Sequence, residues 1–200
     1  MQLSRRAFLG ASCAGLVGAS VGWVRAQAPS EPACGALLQR ALEAVDRHRE
    51  RIVHRDVIGI ADFSLPSHTP RLHLFNLLNG ATTSYLVAHG RGSDPAHTGW
   101  LERFSNQPRS QATSAGAYCT GAYYVGEHGR SMRLDGLDPT NDNAAARGIV
   151  VHGAWYVSDQ TVRRFGMIGR SEGCLAVADS SLDEVLSRLG GGRLIYADKA

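Results

Sequence analysis

The sequence predicts a mainly β domain, a curled sheet or sandwich that carries small helices at its periphery. Short runs of β-branched or alternating apolar residues recur from residue 57 to the end of the chain, which is typical of strands. Turn-forming residues separate these runs, and Asn79-Gly80 is a strong hairpin signal. The predicted strands cover residues 57–61, 71–77, 83–88, 122–126, 131–134, 148–152 and 194–196.

Two helices and one long loop region complete the predicted domain. Residues 33–52 place apolar side chains at helical spacing, so we expect an amphipathic packing helix. A shorter helix fits residues 180–189, with Ser180 or Asp179 as its N-cap and a run of three glycines at its end. Residues 90–121 are rich in Gly, Ser, Thr and Asn, which indicates loops over a surface or cleft. We therefore expect a helical segment at 29–56 and the main domain at 57–200.

Residues 1–28 have the pattern of an export signal. Ser4-Arg5-Arg6-Ala7-Phe8-Leu9 is a twin-arginine signature, and Ala26-Gln27-Ala28 is a small-residue cleavage pattern. The apolar stretch between them, residues 10–24, is shorter than the ~20 residues that a membrane span requires. The sequence thus predicts twin-arginine export to the periplasm or cell envelope, with no stable membrane anchor after cleavage.

The composition excludes several classes of protein. Without residues 1–28 the chain has 18 basic and 18 acidic residues, and no basic run alternates with aromatic residues. We therefore expect no nucleic-acid partner. Neither His-Glu-x-x-His nor Cys-x-x-Cys occurs, so we expect no zinc site and no other cofactor. The composition leaves the oligomeric state open.

The cysteines point to a reactive thiol. Cleavage after residue 28 leaves Cys34, Cys119 and Cys174, and in an oxidising compartment an odd number leaves at least one unpaired. A bridge between Cys34 and Cys119 is one of the pairings open to the chain.

Cys174 is the candidate nucleophile, with a buried structural cysteine as the alternative. It follows Gly173 and lies twenty-two residues after His152, which ends an apolar run. A thiol needs a neighbouring base or a positive field to become a thiolate, and backbone amides beside a glycine can hold an oxyanion. These residues indicate cysteine-dependent acyl transfer, with His152 as base. His89-Gly90 repeats the strand-end pattern, so His89 is the rival base or a second cleft residue.

The order and context of these residues separate the families of cysteine enzymes. His precedes Cys, which is the reverse of the papain order, and a sortase-like strand motif is absent. His152-Gly153 followed by Ser171-Glu172-Gly173-Cys174 resembles the signature of the murein L,D-transpeptidase catalytic domain family, which has the YkuD-like fold. The resemblance extends over residues 60–196 and includes 61–64, 86–93, 104–106, 133–137, 151–158 and 168–171.

The resemblance implies a cysteine L,D-transpeptidase or L,D-carboxypeptidase that acts on peptidoglycan stem peptides. Cys174 would attack the carbonyl of stem position three, release D-alanine, and pass the acyl group to an amine or to water. His152 would be the base, with Ser171 and the Gly153 carbonyl as orienting groups and amides near Gly173 as oxyanion donors. The expected substrate-binding residues are His89, Asn106, Tyr156, Arg164 and Arg170. The class is also acylated by carbapenems.

Two positions depart from the family pattern. Most YkuD-like enzymes carry an arginine two residues after the nucleophile, and the subfamily resembled here commonly lacks it. That position is Ala176 here, so Arg170 or Arg164 would have to supply the donor contact. Glu172 lies beside the nucleophile and would raise the pKa of the thiol if its carboxylate faced the site. The alternative function is therefore a catalytically silent domain that binds stem peptides.

Overall fold

A computed structural model describes residues 31–200, so the predicted export signal at 1–28 lies outside the described residues. The helices are α1 (Glu31–Arg47), α2 (Asp159–Phe165) and α3 (Asp179–Leu189). The strands are β1 (Val57–Asp62), β2 (Leu72–Asn76), β3 (Thr82–Tyr85), β4 (Val87–Ala88), β5 (Gly116–Gly126), β6 (Gly129–Gly136), β7 (Val150–Gly153), β8 (Leu175–Val177) and β9 (Leu194–Asp198).

The described strands form one mixed sheet in the order β3-β2-β1-β9-β5-β6-β7-β8-β4. Neighbours are antiparallel except for β1 with β9 and β7 with β8, which are parallel. The predicted hairpin joins β2 to β3, and Gly80 in its turn has a φ of 74°. A mainly β domain with small helices is therefore confirmed.

Helices cover both faces of the sheet because side chains alternate along the central strands. On β1, Ile58 and Ile60 pack in the core that α1 covers, whereas Val57 and Ala61 pack in the core that α3 covers. The same alternation divides β9. The α1 core includes Leu37, Ala41, Val45, Leu194 and Tyr196, and the α3 core includes Val185, Leu186, Leu189, Ile195 and Ala197.

Several predicted boundaries change. The first helix ends at Arg47, and a tight turn follows in which the Ile52 amide donates to the His48 carbonyl at 2.9 Å. The predicted boundary between the loop at 90–121 and the strand at 122–126 is wrong, since β5 begins six residues earlier, at Gly116. Its glycines and small residues hide the apolar alternation. The first residue before α3 is Ala178, which offers no side-chain cap, so neither Ser180 nor Asp179 caps this helix. Neither α2 nor β8 was predicted from the sequence.

Cys119 is a free, buried thiol that donates to the Arg51 carbonyl at 3.3 Å, whereas the side chain of Cys34 lies outside the described part of the chain. Burial raises the pKa of Cys119 above its ordinary value. Within residues 31–200 no helix combines the length and apolar character needed to cross a bilayer.

An ion pair joins the starts of the parallel strands β1 and β9. Arg193 donates from Nε and Nη2 to the two carboxylate oxygens of Asp56, both at 2.8 Å. These hydrogen bonds lower the pKa of Asp56 to about 2. The pKa of this carboxyl is higher in the unfolded chain. The pair therefore stabilises the fold fully at pH values above the unfolded-state pKa, and this contribution is lost as the pH falls towards 2.

We expect Asp56→Asn to lower the melting temperature at pH 7 and to have a smaller effect near pH 2, where about half of the Asp56 carboxyl is protonated. The effect at pH 7 should correspond to about 1 kcal/mol or less, since the pair is partly solvent-exposed. Thermal unfolding followed by circular dichroism at both pH values measures the difference. Asp46→Asn, which removes a largely exposed carboxylate 3.6 Å from Arg55, is the matched control. An equal loss for Asp56→Asn at both pH values would contradict the ion-pair explanation.

Candidate active site

The parallel pairing of β7 with β8 brings His152 and Cys174 to one face of the sheet. His152 lies opposite Ala176 in the register, and Val151 lies opposite Leu175. Side chains alternate along a strand, so Cys174, two residues before Ala176, shares the face of His152. Val151 and Leu175 point to the other face and pack in the α3 core. The same alternation that fills the core therefore directs the imidazole and the thiol to the opposite surface.

The imidazole of His152 is held in one tautomer. Its Nδ1 donates to the Gly153 carbonyl oxygen at 2.8 Å, so in the neutral ring Nε2 carries the free lone pair. Burial lowers the pKa of His152, the Gly153 hydrogen bond opposes this, and His128 lowers the pKa further. The ring is therefore neutral at neutral pH, and its Nε2 is available as a base.

His128 stacks on His152 and was not predicted. It lies in the two-residue turn between β5 and β6, and the two ring centroids are 4.3 Å apart with an interplanar angle of 21°. The stack restricts rotation of the His152 ring. The available signal in the sequence was the tight turn flanked by Gly126 and Gly129, which places a histidine at a hairpin tip.

Ser171 closes the turn that presents Cys174. Its Oγ accepts from the Gly173 amide at 3.1 Å and donates to the Cys174 carbonyl oxygen at 2.7 Å. Gly173 has a φ of 118°, and a Cβ there would lie 2.8 Å from the Ala112 carbonyl oxygen. Both observations require glycine at this position. The Ser171 side chain thus fixes the conformation of the turn before Cys174, whereas the hydrogen bond that orients the imidazole comes from the Gly153 carbonyl.

The thiol of Cys174 is protonated in the resting protein. Burial raises its pKa, and Glu172 adds a small effect in the same direction. The Val150 amide and the guanidinium of Arg147 oppose these effects. The Sγ–H donates to the Gly148 carbonyl oxygen at 3.5 Å. Since the pKa of His152 is lowered and that of Cys174 is raised, both groups are neutral before substrate binds.

Both groups line an open cleft of about 1080 Å³. Tyr156 contributes a phenol whose pKa is raised to about 12, mainly by burial and then by Cys174, so it is a neutral hydrogen-bond donor. Trp155 is 78% exposed on the rim. The ionisable side chains that line the cleft include Arg91, Arg109, Arg147, Arg170, Glu127, Glu172 and Asp179. The lining therefore has more cationic than anionic groups.

The structure brings most of the predicted site residues together. The cleft is lined by Cys174, His152, Gly153, Ser171, Tyr156 and Arg170. Gly173 directly precedes Cys174 in the chain. The guanidinium of Arg170 donates to the backbone carbonyl oxygens of Asp94 and Pro95, which holds it at the cleft wall.

His89 lies outside the cleft, which removes it as the rival base and as a substrate contact. Its side chain is 1% exposed and lies between two buried charges. Arg71 Nη2 donates to His89 Nδ1 at 2.8 Å, and His89 Nε2 donates to Asp94 at 3.3 Å. Burial and Arg71 lower the pKa of His89 to about 4. This histidine is a neutral structural bridge.

Asn106 and Arg164, both predicted to bind substrate, also lie away from the cleft lining. The amide of Asn106 donates to the Pro139 carbonyl at 3.1 Å and to Asp142 at 2.6 Å, which joins two loops. Arg164 lies on the exposed side of α2, with its guanidinium 5.1 Å from the ring centroid of Phe165. The spacing of residues in the sequence does not show how the loop of Asn106 packs or which side of α2 carries Arg164.

Glu172 and Ala176, the two positions that depart from the pattern of most YkuD-like enzymes, both have defined contacts. Glu172 is 67% exposed and pairs with Arg91 at 2.6 Å, so its carboxylate is directed to a cation at the rim. Ala176 is fully buried and packs with Ala88 and Ala154 on the face of His152. No arginine side chain fits at this position without displacing that small apolar cluster.

Comparison with known families agrees with this architecture. Residues 31–197 match the model of the L,D-transpeptidase catalytic domain, and the chain belongs to this family. The family predicted from the His-Gly and Ser-x-Gly-Cys motifs is therefore confirmed, together with its fold. No curated protein matches the chain.

Solved structures similar to this chain are also L,D-transpeptidases. One is from Mycobacterium smegmatis, with 15% identity and a TM-score of 0.43, covering 72% of this chain and 58% of that one. Another is L,D-transpeptidase 3 from Mycobacterium tuberculosis in complex with a faropenem-derived adduct, with 13% identity and a TM-score of 0.44, covering 72% and 60%. The present chain thus spans less than two thirds of their length.

We expect Glu172→Gln to change the alkylation rate of Cys174 by less than about twofold near pH 7, because exposed and paired charges interact weakly through water. Iodoacetamide labelling, followed by mass spectrometry of the Cys174 peptide, measures this rate. Asp183→Asn, which neutralises an exposed carboxylate paired with Arg130, is the matched control. A tenfold acceleration in Glu172→Gln alone would mean that the carboxylate acts on the thiol.

Proposed function

We propose that this protein is a peptidoglycan L,D-transpeptidase that uses Cys174 as its nucleophile and His152 as its base. The observation that carries the proposal is the β7–β8 register, with the Gly153 carbonyl holding Nδ1 of His152 and leaving Nε2 free. The same two side chains line the open cleft. Membership of the L,D-transpeptidase family supports the reaction type.

Acylation begins with Cys174 and His152 both neutral. The thiol proton of Cys174 moves to Nε2 of His152 as Sγ attacks the carbonyl carbon of stem position three. The imidazolium that forms is stabilised by the Gly153 carbonyl at Nδ1 and by Asp179, which raises the pKa of His152. General-base transfer, rather than a preformed ion pair, follows from the opposite pKa shifts of the two groups.

The oxyanion of the tetrahedral intermediate needs a backbone donor near Sγ. The Gly173 amide is engaged by Ser171 Oγ, so we assign this role to the amide of Cys174 itself. A side chain at Gly173 would collide with the Ala112 carbonyl oxygen and with Ile149, so glycine allows the turn that precedes the Cys174 amide. The neutral phenol of Tyr156 is a second donor in the same cleft.

Collapse of the intermediate breaks the peptide bond to the terminal D-alanine. His152 returns its proton to the leaving amine, and the acyl group remains on Cys174 as a thioester. An acceptor amine then attacks the thioester and gives a proton to His152. The C–S bond breaks as the new peptide bond forms, and the Cys174 thiolate takes that proton back from His152. When water replaces the amine, the same steps give L,D-carboxypeptidase activity.

The cleft suits an anionic peptide that carries several carboxylates. Arg109 has no carboxylate partner among the described residues, and Arg170 is held by carbonyl oxygens alone. Both guanidinium groups are therefore free to attract substrate carboxylates. A substrate in the cell wall also agrees with the proposed twin-arginine export to the periplasm or cell envelope.

We expect Cys174→Ala and Cys174→Ser to abolish D-alanine release from a disaccharide-tetrapeptide, with an unchanged circular dichroism spectrum. His152→Ala should lower turnover by about 10²–10⁴-fold, the usual cost of losing a general base. His89→Ala is the informative control, because it should lower the melting temperature more than turnover per folded molecule. Products are followed by mass spectrometry. Wild-type turnover in Cys174→Ala would eliminate this nucleophile.

A carbapenem tests the thiol without requiring the correct acceptor. The strained lactam carbonyl should acylate Cys174 and add one covalent mass to the protein, whereas Cys174→Ala should gain none. His152→Ala should acylate more slowly, because its thiol lacks a base. Intact-protein mass spectrometry over time gives the rates. A wild-type protein that binds stem peptide but gains no adduct would instead be the silent binding domain.

A further inference from the structure

Arg147 is a cation in the cleft with no anionic partner. Its side chain is half-buried, and burial lowers its pKa. Within residues 31–200 no carboxylate forms an ion pair with it. A partly buried charge is costly unless an opposite charge or a set of hydrogen bonds compensates it. The compensation for this charge must therefore come from hydrogen bonds.

Neutral acceptors fix the guanidinium group in place. Nη1 donates to the Ser105 carbonyl at 2.8 Å and to Ser114 Oγ at 2.6 Å. Nη2 donates to Ser110 Oγ at 3.2 Å and to the Ala112 carbonyl. The four terminal N–H groups are thus satisfied without neutralisation of the charge. Arg147 cannot swing out to form a bidentate pair with a substrate carboxylate.

This fixed charge lies beside the nucleophile turn. A Cβ at Gly173 would be 3.2 Å from Nη2 of Arg147, and Gly173 directly precedes Cys174. Arg147 and Cys174 both line the cleft. At Ala176, where most YkuD-like enzymes have an arginine, the side chain is buried in a small apolar cluster. A positive charge therefore reaches the nucleophile from the segment before β7 instead of from β8.

We propose that Arg147 is the permanent counter-charge of Cys174 and stabilises the thiolate and the oxyanion as they form. This inference rests on the proposed role of Cys174 as nucleophile, and it adds the source of the activating field. Arg147 is a positioning residue, since it acts on the sulfur through the electrostatic field and contacts no reacting atom. The absence of a carboxylate partner is essential, because a paired guanidinium would exert a much weaker field on Sγ.

The other ionisable groups around Cys174 do not replace this charge. His152 and Tyr156 are neutral at neutral pH, and Glu172 is anionic but pairs with Arg91. His128 stacks on the imidazole of His152 and lowers its pKa. Arg91, Arg109 and Arg170 also line the cleft, but Arg147 is the cation whose charge lowers the pKa of Cys174.

The test is the pH dependence of Cys174 alkylation by iodoacetamide, measured on the full domain by peptide mass spectrometry. Arg147→Gln should lower the rate at pH 7 by about 10-fold and should shift the profile to higher pH, with the same limiting rate at high pH. Arg147→Lys keeps the charge but loses most of the four hydrogen bonds, so its profile should remain close to that of the wild type. Neither measurement needs a peptidoglycan substrate.

Ser110→Ala and Ser114→Ala separate the charge from the loop contacts. Each removes an acceptor of Arg147 and leaves the charge, so both should retain the wild-type profile even where the melting temperature falls. A shift in these variants comparable to that of Arg147→Gln would overturn the proposal, because loop geometry would then be the cause. An unshifted Arg147→Gln profile would also overturn it. If Arg147→Gln does not fold, Arg147→Lys decides, since a shifted profile in that variant contradicts a role for charge.

The thiol profile also keeps this inference separate from the proposed function. A shifted Arg147→Gln profile in a protein that releases no D-alanine would preserve the counter-charge and reject the substrate. Normal D-alanine release with an unshifted profile would preserve the transpeptidase and reject the counter-charge.

Discussion

The parallel pairing of β7 with β8 is the constraint on which the active site depends. Because side chains alternate along each strand, a slip of one residue would turn Cys174 into the α3 core and expose Leu175 in its place. The core therefore fixes the register of β7 and β8, since burying Val151 and Leu175 on one face leaves the imidazole of His152 and the thiol of Cys174 on the other. Parallel strands need a long connection, and this one contains α2 and supplies the cleft residues Trp155 and Tyr156.

A buried charge network supports this register from the neighbouring strand. Arg71, His89 and Asp94 form a hydrogen-bonded chain in which the neutral imidazole joins a cation to an anion. The backbone beside His89 binds the nucleophile turn, as the Ser171 amide donates to the His89 carbonyl at 2.9 Å and the Arg91 amide returns a bond to Ser171 at 2.8 Å. His89 thus resembles His152 in sequence context but has a different role. Its backbone hydrogen-bonds to the turn before Cys174, and its side chain does not line the cleft.

The sequence predicted those features that local pattern determines. The β2–β3 hairpin followed from Asn79-Gly80, and the family followed from the motifs around His152 and Cys174. Arg147 and His128 could not be predicted, because each reaches the site through the packing of a loop or hairpin tip against a distant strand. For the same reason Asn106 was misplaced. β5 was missed over its first half because its early residues lack the β-branched alternation that signals a strand.

A protonated resting thiol is compatible with an efficient nucleophile. Thiolates are the oxidation-prone form of cysteine, so a buried thiol with a raised pKa resists oxidation in the oxidising compartment to which we propose the protein is exported. The groups that favour the anion, the Val150 amide and the Arg147 guanidinium, are already in place and need no reorganisation when the proton moves. Burial therefore sets the resting state, whereas in the proposed mechanism the fixed dipoles and charge act on the transition state. In that mechanism the substrate carbonyl carbon gives the sulfur an electrophile as Nε2 of His152 accepts the proton.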